Sequence, residues 1–214
     1  MKKTFIRLLA VFVCAILLFS CENATDDCDI KVNKFLLEHQ SEYENLDRDS
    51  WLALPDSTQR LAYLCMSPAS KHKFWLHKLE ETKLVEDWNA VEIAHIEKFS
   101  KYIKATPQLF EKDALNDTKL LKEFEDFVER WRKFADEDLD WTDEVQYFII
   151  ADGNSYIDLI ATFEALPDNA WCSCSQKSDW CNRVKKKCVD TGCLRDAGDG
   201  CGTLWLYHCD GKCK

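Results

Sequence analysis

Apolar residues recur at helical period through most of the chain. The clearest stretch is 118–134, where Leu120, Phe124, Phe127, Val128, Trp131 and Phe134 line one face, the stripe of a helix that buries one side. Ser67-Pro68 and Thr106-Pro107 each place a capping residue before a proline. At the first helical position the missing proline N–H removes no hydrogen bond. The first pair opens a helix reaching to about Leu84, with Trp75 and Leu79 on its face, and the second opens a short one. Asp87 can cap a further helix carrying Ile93, Ile96 and Ile103. Shorter helices are expected at 29–37 and 56–65, while 145–150 fits helix or strand. Glycine does not occur before Gly153, and proline is confined to positions 55, 68, 107 and 167. Strand and hairpin signals are therefore few, and residues 28–166 read as a helical domain.

The periodicity stops near Pro167. Beyond it lie Cys172, Cys174, Cys181, Cys188, Cys193, Cys201, Cys209 and Cys213. A segment this short cannot bury enough apolar surface to offset its chain entropy. Disulfides, each contributing about 2–4 kcal/mol, can. Gly198, Gly200 and Gly202 crowd around Cys201, where tight turns need no side chain. Residues 203–208 are β-prone and Asp210-Gly211 marks a turn. The expected fold class is mainly α: a helical N-terminal domain followed by a small disulfide-rich module, residues 167–214, with a short β-hairpin. Spacing does not fix the pairing. Zinc would want Cys-x2-Cys pairs, which are absent, so the thiols are assigned to disulfides and no metal is expected.

The first residues belong to no fold. Lys2, Lys3 and Arg7 precede an apolar run at 8–19, too short to span a bilayer and suited to an export signal. The run closes on Leu18-Phe19-Ser20-Cys21, similar to a bacterial lipoprotein signal, so Cys21 is the expected lipidation site. Residues 1–21 are then the signal with its lipidated cysteine, and 22–27 an acidic tether. Of twelve cysteines, Cys14 leaves with the signal and Cys21 carries lipid. The ten that remain can all pair in an oxidising compartment. Cys28 and Cys65, outside the tail, are expected to pair with each other. The implied localisation is the outer membrane or cell surface, with the lipid at Cys21 contacting the membrane.

Charge divides along the same boundary. The chain carries a net −10, yet eight basic and five acidic residues follow Pro167-Asp168. The helical body is therefore strongly acidic and the tail basic. Catalytic patterns are missing. His-Glu-x-x-His and Gly-x-Ser-x-Gly do not occur, and a body with no glycine before Gly153 holds no glycine-rich phosphate loop. His39, His72, His77 and His95 are scattered, and the carboxylates read as a solvated face. Trp51, Trp75, Trp88, Trp131 and Trp141 read as core. No enzyme and no cofactor are expected. Net acidic charge and short basic runs argue against nucleic acid.

The tail motifs Ala170-Trp171-Cys172-Ser173-Cys174-Ser175, Ser178-Asp179-Trp180-Cys181 and Gly200-Cys201-Gly202-Thr203-Leu204-Trp205-Leu206-Tyr207 carry a family likeness. The chain resembles the fulvocin C-related bacteriocin-like lipoproteins of Bacteroidetes-type bacteria. That resemblance implies an antibacterial tail, borne by a helical body that has no counterpart in the small bacteriocin. On this expectation the acidic body carries the basic tail, and 165–169 is a release site. Trp171, Trp180, Arg183, Lys185, Lys186, Lys187, Trp205 and Tyr207 then meet an anionic bacterial envelope. The alternative is a non-toxic surface lipoprotein whose tail is a protein- or glycan-binding knob.

Overall fold

A computed structural model describes residues 34–85, 88–154, 174–178, 180–181, 186–190 and 199–214. The body is helical. Helix α1 covers 34–43, and α2 (Arg48–Leu52), α3 (Asp56–Cys65), α4 (Pro68–Val85) and α5 (Ala90–Ala105) follow. Two 3-10 turns, Pro107–Phe110 and Ala114–Asn116, lead to α6 (Thr118–Glu137) and α7 (Asp143–Ile150). Among the described residues no helix is long and apolar enough to cross a membrane.

Local chemistry sets most helix starts. Ser67 Oγ accepts from the Ser70 N–H ahead of α4. Helix α5 is capped by Asn89, not by Asp87. The Asn89 side chain accepts from the Val91 and Glu92 amides, and Glu92 accepts from the Asn89 amide in return. This capping box satisfies donors that a helix leaves open. The buried face of α5 is Ile96, Phe99 and Ile103, whereas Ile93 is exposed. Asp117 caps α6 through the Lys119 and Leu120 amides, and the expected stripe supplies the buried Phe124, Phe127 and Trp131. The ambiguous stretch 145–150 is helical, started by Thr142. Thr106 does not cap the turn after it; its hydroxyl donates back to Tyr102 O.

Among the described residues the tail holds four short strands, β1 (Cys188–Asp190), β2 (Asp199–Cys201), β3 (Tyr207–His208) and β4 (Gly211–Cys213). They form two antiparallel ribbons, β1 with β4 and β2 with β3. The β-prone run 203–208 is only partly a strand. Thr203–Trp205 is a 3-10 turn in which Leu204 and Trp205 adopt φ of 55° and 53°. Both side chains are buried, and that burial offsets a left-handed backbone costing about 1–2 kcal/mol per residue. Three disulfides staple the described part of the tail: Cys174–Cys188, Cys181–Cys213 and Cys201–Cys209. Among the described residues Cys65 is a free, buried thiol; its expected partner, Cys28, lies outside them.

Body and tail share one hydrophobic core. Trp180, Leu204, Trp205 and Tyr207 belong to the same buried cluster as Trp51, Tyr63, Trp75 and Trp131. The change in composition near Pro167 is therefore not a break in packing.

Candidate functional site

The join between body and tail is built around one indole. Trp205 is 6 % exposed and sits among Trp51, Tyr63, Phe74 and Trp75. Their ring centroids lie 5.7, 5.0, 6.4 and 6.0 Å from it. Tyr63 and Trp75 meet the ring edge to face, the arrangement that aromatic quadrupoles favour. The Arg60 guanidinium stacks 4.9 Å from the ring centroid. Trp205 Nε1 donates to the Ala151 carbonyl at 2.9 Å, so the polar edge of the buried ring is satisfied.

Backbone contacts reinforce the seat. Arg60 donates to the Gly200 carbonyl at 2.9 Å. The Tyr63 hydroxyl donates to the Leu204 carbonyl at 3.3 Å and accepts from Trp75 Nε1 at 2.9 Å. Burial raises the Tyr63 phenol well above its ordinary value, so it stays a donor. Gly153 lies flat against the indole, and a Cβ there would come within 2.6 Å of the ring.

The body holds Gly153 and Asn154 from the other side with two buried basic side chains. Arg48 donates to the Gly153 carbonyl and pairs with Glu81 at 2.9 Å. Lys78 donates to the Asn154 carbonyl. Lys78 is fully buried, and that burial pushes its ammonium down to about 7. A lysine on an amphipathic helix ordinarily points to water, so nothing in the pattern of α4 marks Lys78.

A second contact lies along α6. Trp180 packs under Arg132, whose guanidinium sits 4.2 Å from the ring centroid, and edge-on to Tyr147. Its Nε1 donates to Thr203 Oγ1. Tyr207 is buried near Glu125; burial, then the charge of that carboxylate, raises its phenol. Gly202, at φ +70°, threads between Ser178 and Tyr207, where a Cβ would come within 2.5 Å of Ser178. A groove of about 470 Å³ runs beside these residues between α6 and the tail, with Glu125, Glu129 and Asp136 facing Lys177.

The residues expected to meet a target thus separate into two sets. Trp180, Trp205 and Tyr207 turn inward and are buried by the body. Lys187 is exposed and Lys186 half-buried beside the β1–β4 ribbon, with Lys177 and Lys214 also at the surface. Trp171, Arg183 and Lys185 lie outside the described residues, as do Cys21, Cys172 and Cys193. Among the described residues every ion pair lies within the body. Aromatic packing, not opposite charge, makes the join. Compared with family models, curated proteins and solved structures, the chain matches none.

Proposed function

We propose that the protein is an exported, lipid-anchored surface protein whose stapled tail is a rigid recognition head for an anionic protein or glycan. One observation carries this reading: the tail's aromatic side is locked into the body's core while Lys177, Lys187 and Lys214 are exposed. A head held by Trp205 need not leave the body to act. Rigid presentation also keeps the entropic cost of binding low, because ribbon and disulfides are already ordered. Export and the lipid at Cys21 rest on the signal-like N-terminus. The test is binding of the full chain to acidic polysaccharides or acidic proteins at low and at physiological salt. Lys186→Ala combined with Lys187→Ala is expected to weaken binding at least tenfold and to flatten its salt dependence. Binding unchanged by the pair of substitutions would rule out the ribbon as the contact.

A second reading follows the family likeness: a bacteriocin-like tail kept latent by the body. The masking of Trp180, Trp205 and Tyr207 favours it, since latent cargo hides the groups that reach its target. The two readings part on the state of the native protein. Intact lipidated chain in the membrane fraction supports the resident head. A free tail fragment in the medium that kills related bacteria supports the bacteriocin.

A further inference from the structure

The tail brings four cysteines from four separate segments to one point. Cys174 comes from the loop that meets Gly211, Cys181 from a tight turn, Cys188 from β1 and Cys213 from β4. They belong to two different bridges, Cys174–Cys188 and Cys181–Cys213. Yet the sulfurs of Cys174, Cys181 and Cys213 all lie within 4.8 Å of one another. Cys188, bonded to one of the three, is also the register partner of Cys213 across the ribbon.

Backbone bonds, and not the bridges alone, hold this convergence. Cys174 N–H donates to Gly211 O, and Gly211 N–H donates to Cys174 O, each at 3.0 Å. Lys187 and Lys214 exchange amide–carbonyl bonds at 2.9 and 3.0 Å at the end of the same ribbon. Gly211 leaves room for the sulfurs: a Cβ there would come within 2.5 Å of Cys188 Sγ and 3.1 Å of Cys174 Sγ. A tetrahedral zinc–thiolate site has metal–sulfur bonds of about 2.3 Å, which sets its sulfurs roughly 3.8 Å apart. On reduction the bonded pairs Cys174–Cys188 and Cys181–Cys213 open to that spacing, and the separations of Cys174 from Cys181 and Cys213, at most 4.8 Å, close by about an ångström at most. Lysines 186, 187 and 214 flank these cysteines in sequence, and their positive charge offsets the two negative charges of a tetrathiolate–zinc centre.

We propose that Cys174, Cys181, Cys188 and Cys213 form a second, reduced-state site: a tetrathiolate for one soft tetrahedral cation of the Zn²⁺ class. With the bridges closed, the cluster is a structural staple. An external dithiol supplies two electrons and two protons to each bridge and leaves as its own disulfide, giving four thiols. Cation binding then releases those four protons to solvent, and four metal–sulfur bonds replace the two sulfur–sulfur bonds. The same segments are tied together in either state, so the tail keeps its seat on the body. Cys201–Cys209 lies outside the cluster and takes no part.

The test uses the full chain, reduced without oxygen by a phosphine and titrated with Co²⁺ as an optical probe. The expected result is one Co²⁺ per chain with tetrahedral thiolate absorption, displaced by Zn²⁺, and no uptake by the oxidised chain. Alkylation of the Zn²⁺-loaded wild type, mapped by mass, should leave Cys174, Cys181, Cys188 and Cys213 protected and Cys201 and Cys209 modified. Cys181→Ser should weaken uptake at least tenfold, while Cys201→Ser with Cys209→Ser should leave it intact. Absence of stoichiometric uptake would overturn the proposal. So would alkylation of the four cluster cysteines in loaded wild type, a reading that requires no variant to fold.

Discussion

Single residues in this protein show where burial overrides the usual behaviour of a side chain. His95 is buried in α5, its ring stacked 4.6 Å from that of Trp131. Its Nε2 bonds the Trp131 carbonyl at 3.0 Å, and Trp131 Nε1 donates to the His95 carbonyl at 3.0 Å. Desolvation lowers the imidazole from 6.5 to about 4. The unfolded chain therefore takes up this proton first as pH falls. Stability from the neutral ring is complete above about pH 6.5 and is lost as pH drops toward 4. Thermal melts across that window are expected to show the wild-type midpoint falling more steeply than that of His95→Gln. Parallel slopes would mean that His95 is not the group responsible. Arg48 and Lys78 show the same override at two further basic side chains. They are buried, and their hydrogen bonds to Gly153 and Asn154 hold the surface on which Trp205 rests. Nothing in their sequence neighbourhood separates them from ordinary solvent-facing residues.

At the scale of elements, the turn Thr203–Trp205 decides how the tail meets the body. Gly202 admits the turn through φ +70° and its missing side chain. Gly202→Ala adds left-handed strain and drives a methyl into Ser178. The expected loss is about 2–4 kcal/mol in chemical denaturation; a loss below about 0.5 kcal/mol would show that the turn relaxes freely. The helices were largely legible in the chain, because α4 and α6 carry their own caps and apolar stripes. The start of α5 was legible only in kind: the Asn89–Glu92 box took the place given to Asp87. Only the end of the run 203–208 is a strand, β3, which pairs with β2; its start is a turn, because β-branched and aromatic residues also suit a turn that buries them. Which partner a strand takes depends on tertiary contacts. Hence β3 pairs with β2 and β4 with β1, and Asp210-Gly211 closes no hairpin.

The whole molecule reverses the strongest inference from composition. Acidic, glycine-poor body and basic, cysteine-rich tail look separable in sequence, yet Trp205 and Trp180 carry one core across both. Composition records what a segment needs to fold, and the tail needs disulfides. It does not record what the segment packs against. The sequence grouped Trp180, Trp205, Tyr207, Lys186 and Lys187 as one target-facing set, and the structure buries the three aromatics. Their division into an inward aromatic side and an outward basic side was not legible, because nothing local distinguishes a ring buried by a neighbouring domain from one offered to a ligand. A resident recognition head follows from that division more directly than a released toxin does, because removing the tail would empty the centre of the body.

The measurement that tests this most directly is equilibrium denaturation of the full-length Trp205→Ala variant, with disulfides intact, followed by the far-ultraviolet signal of the body helices. Removing a buried tryptophan that fills a shared core is expected to cost about 3–5 kcal/mol, so the helical transition should move to markedly lower denaturant while the slope stays that of a single cooperative unit. An unchanged helical midpoint, with only the tail loosened, would contradict the account and make body and tail independent parts.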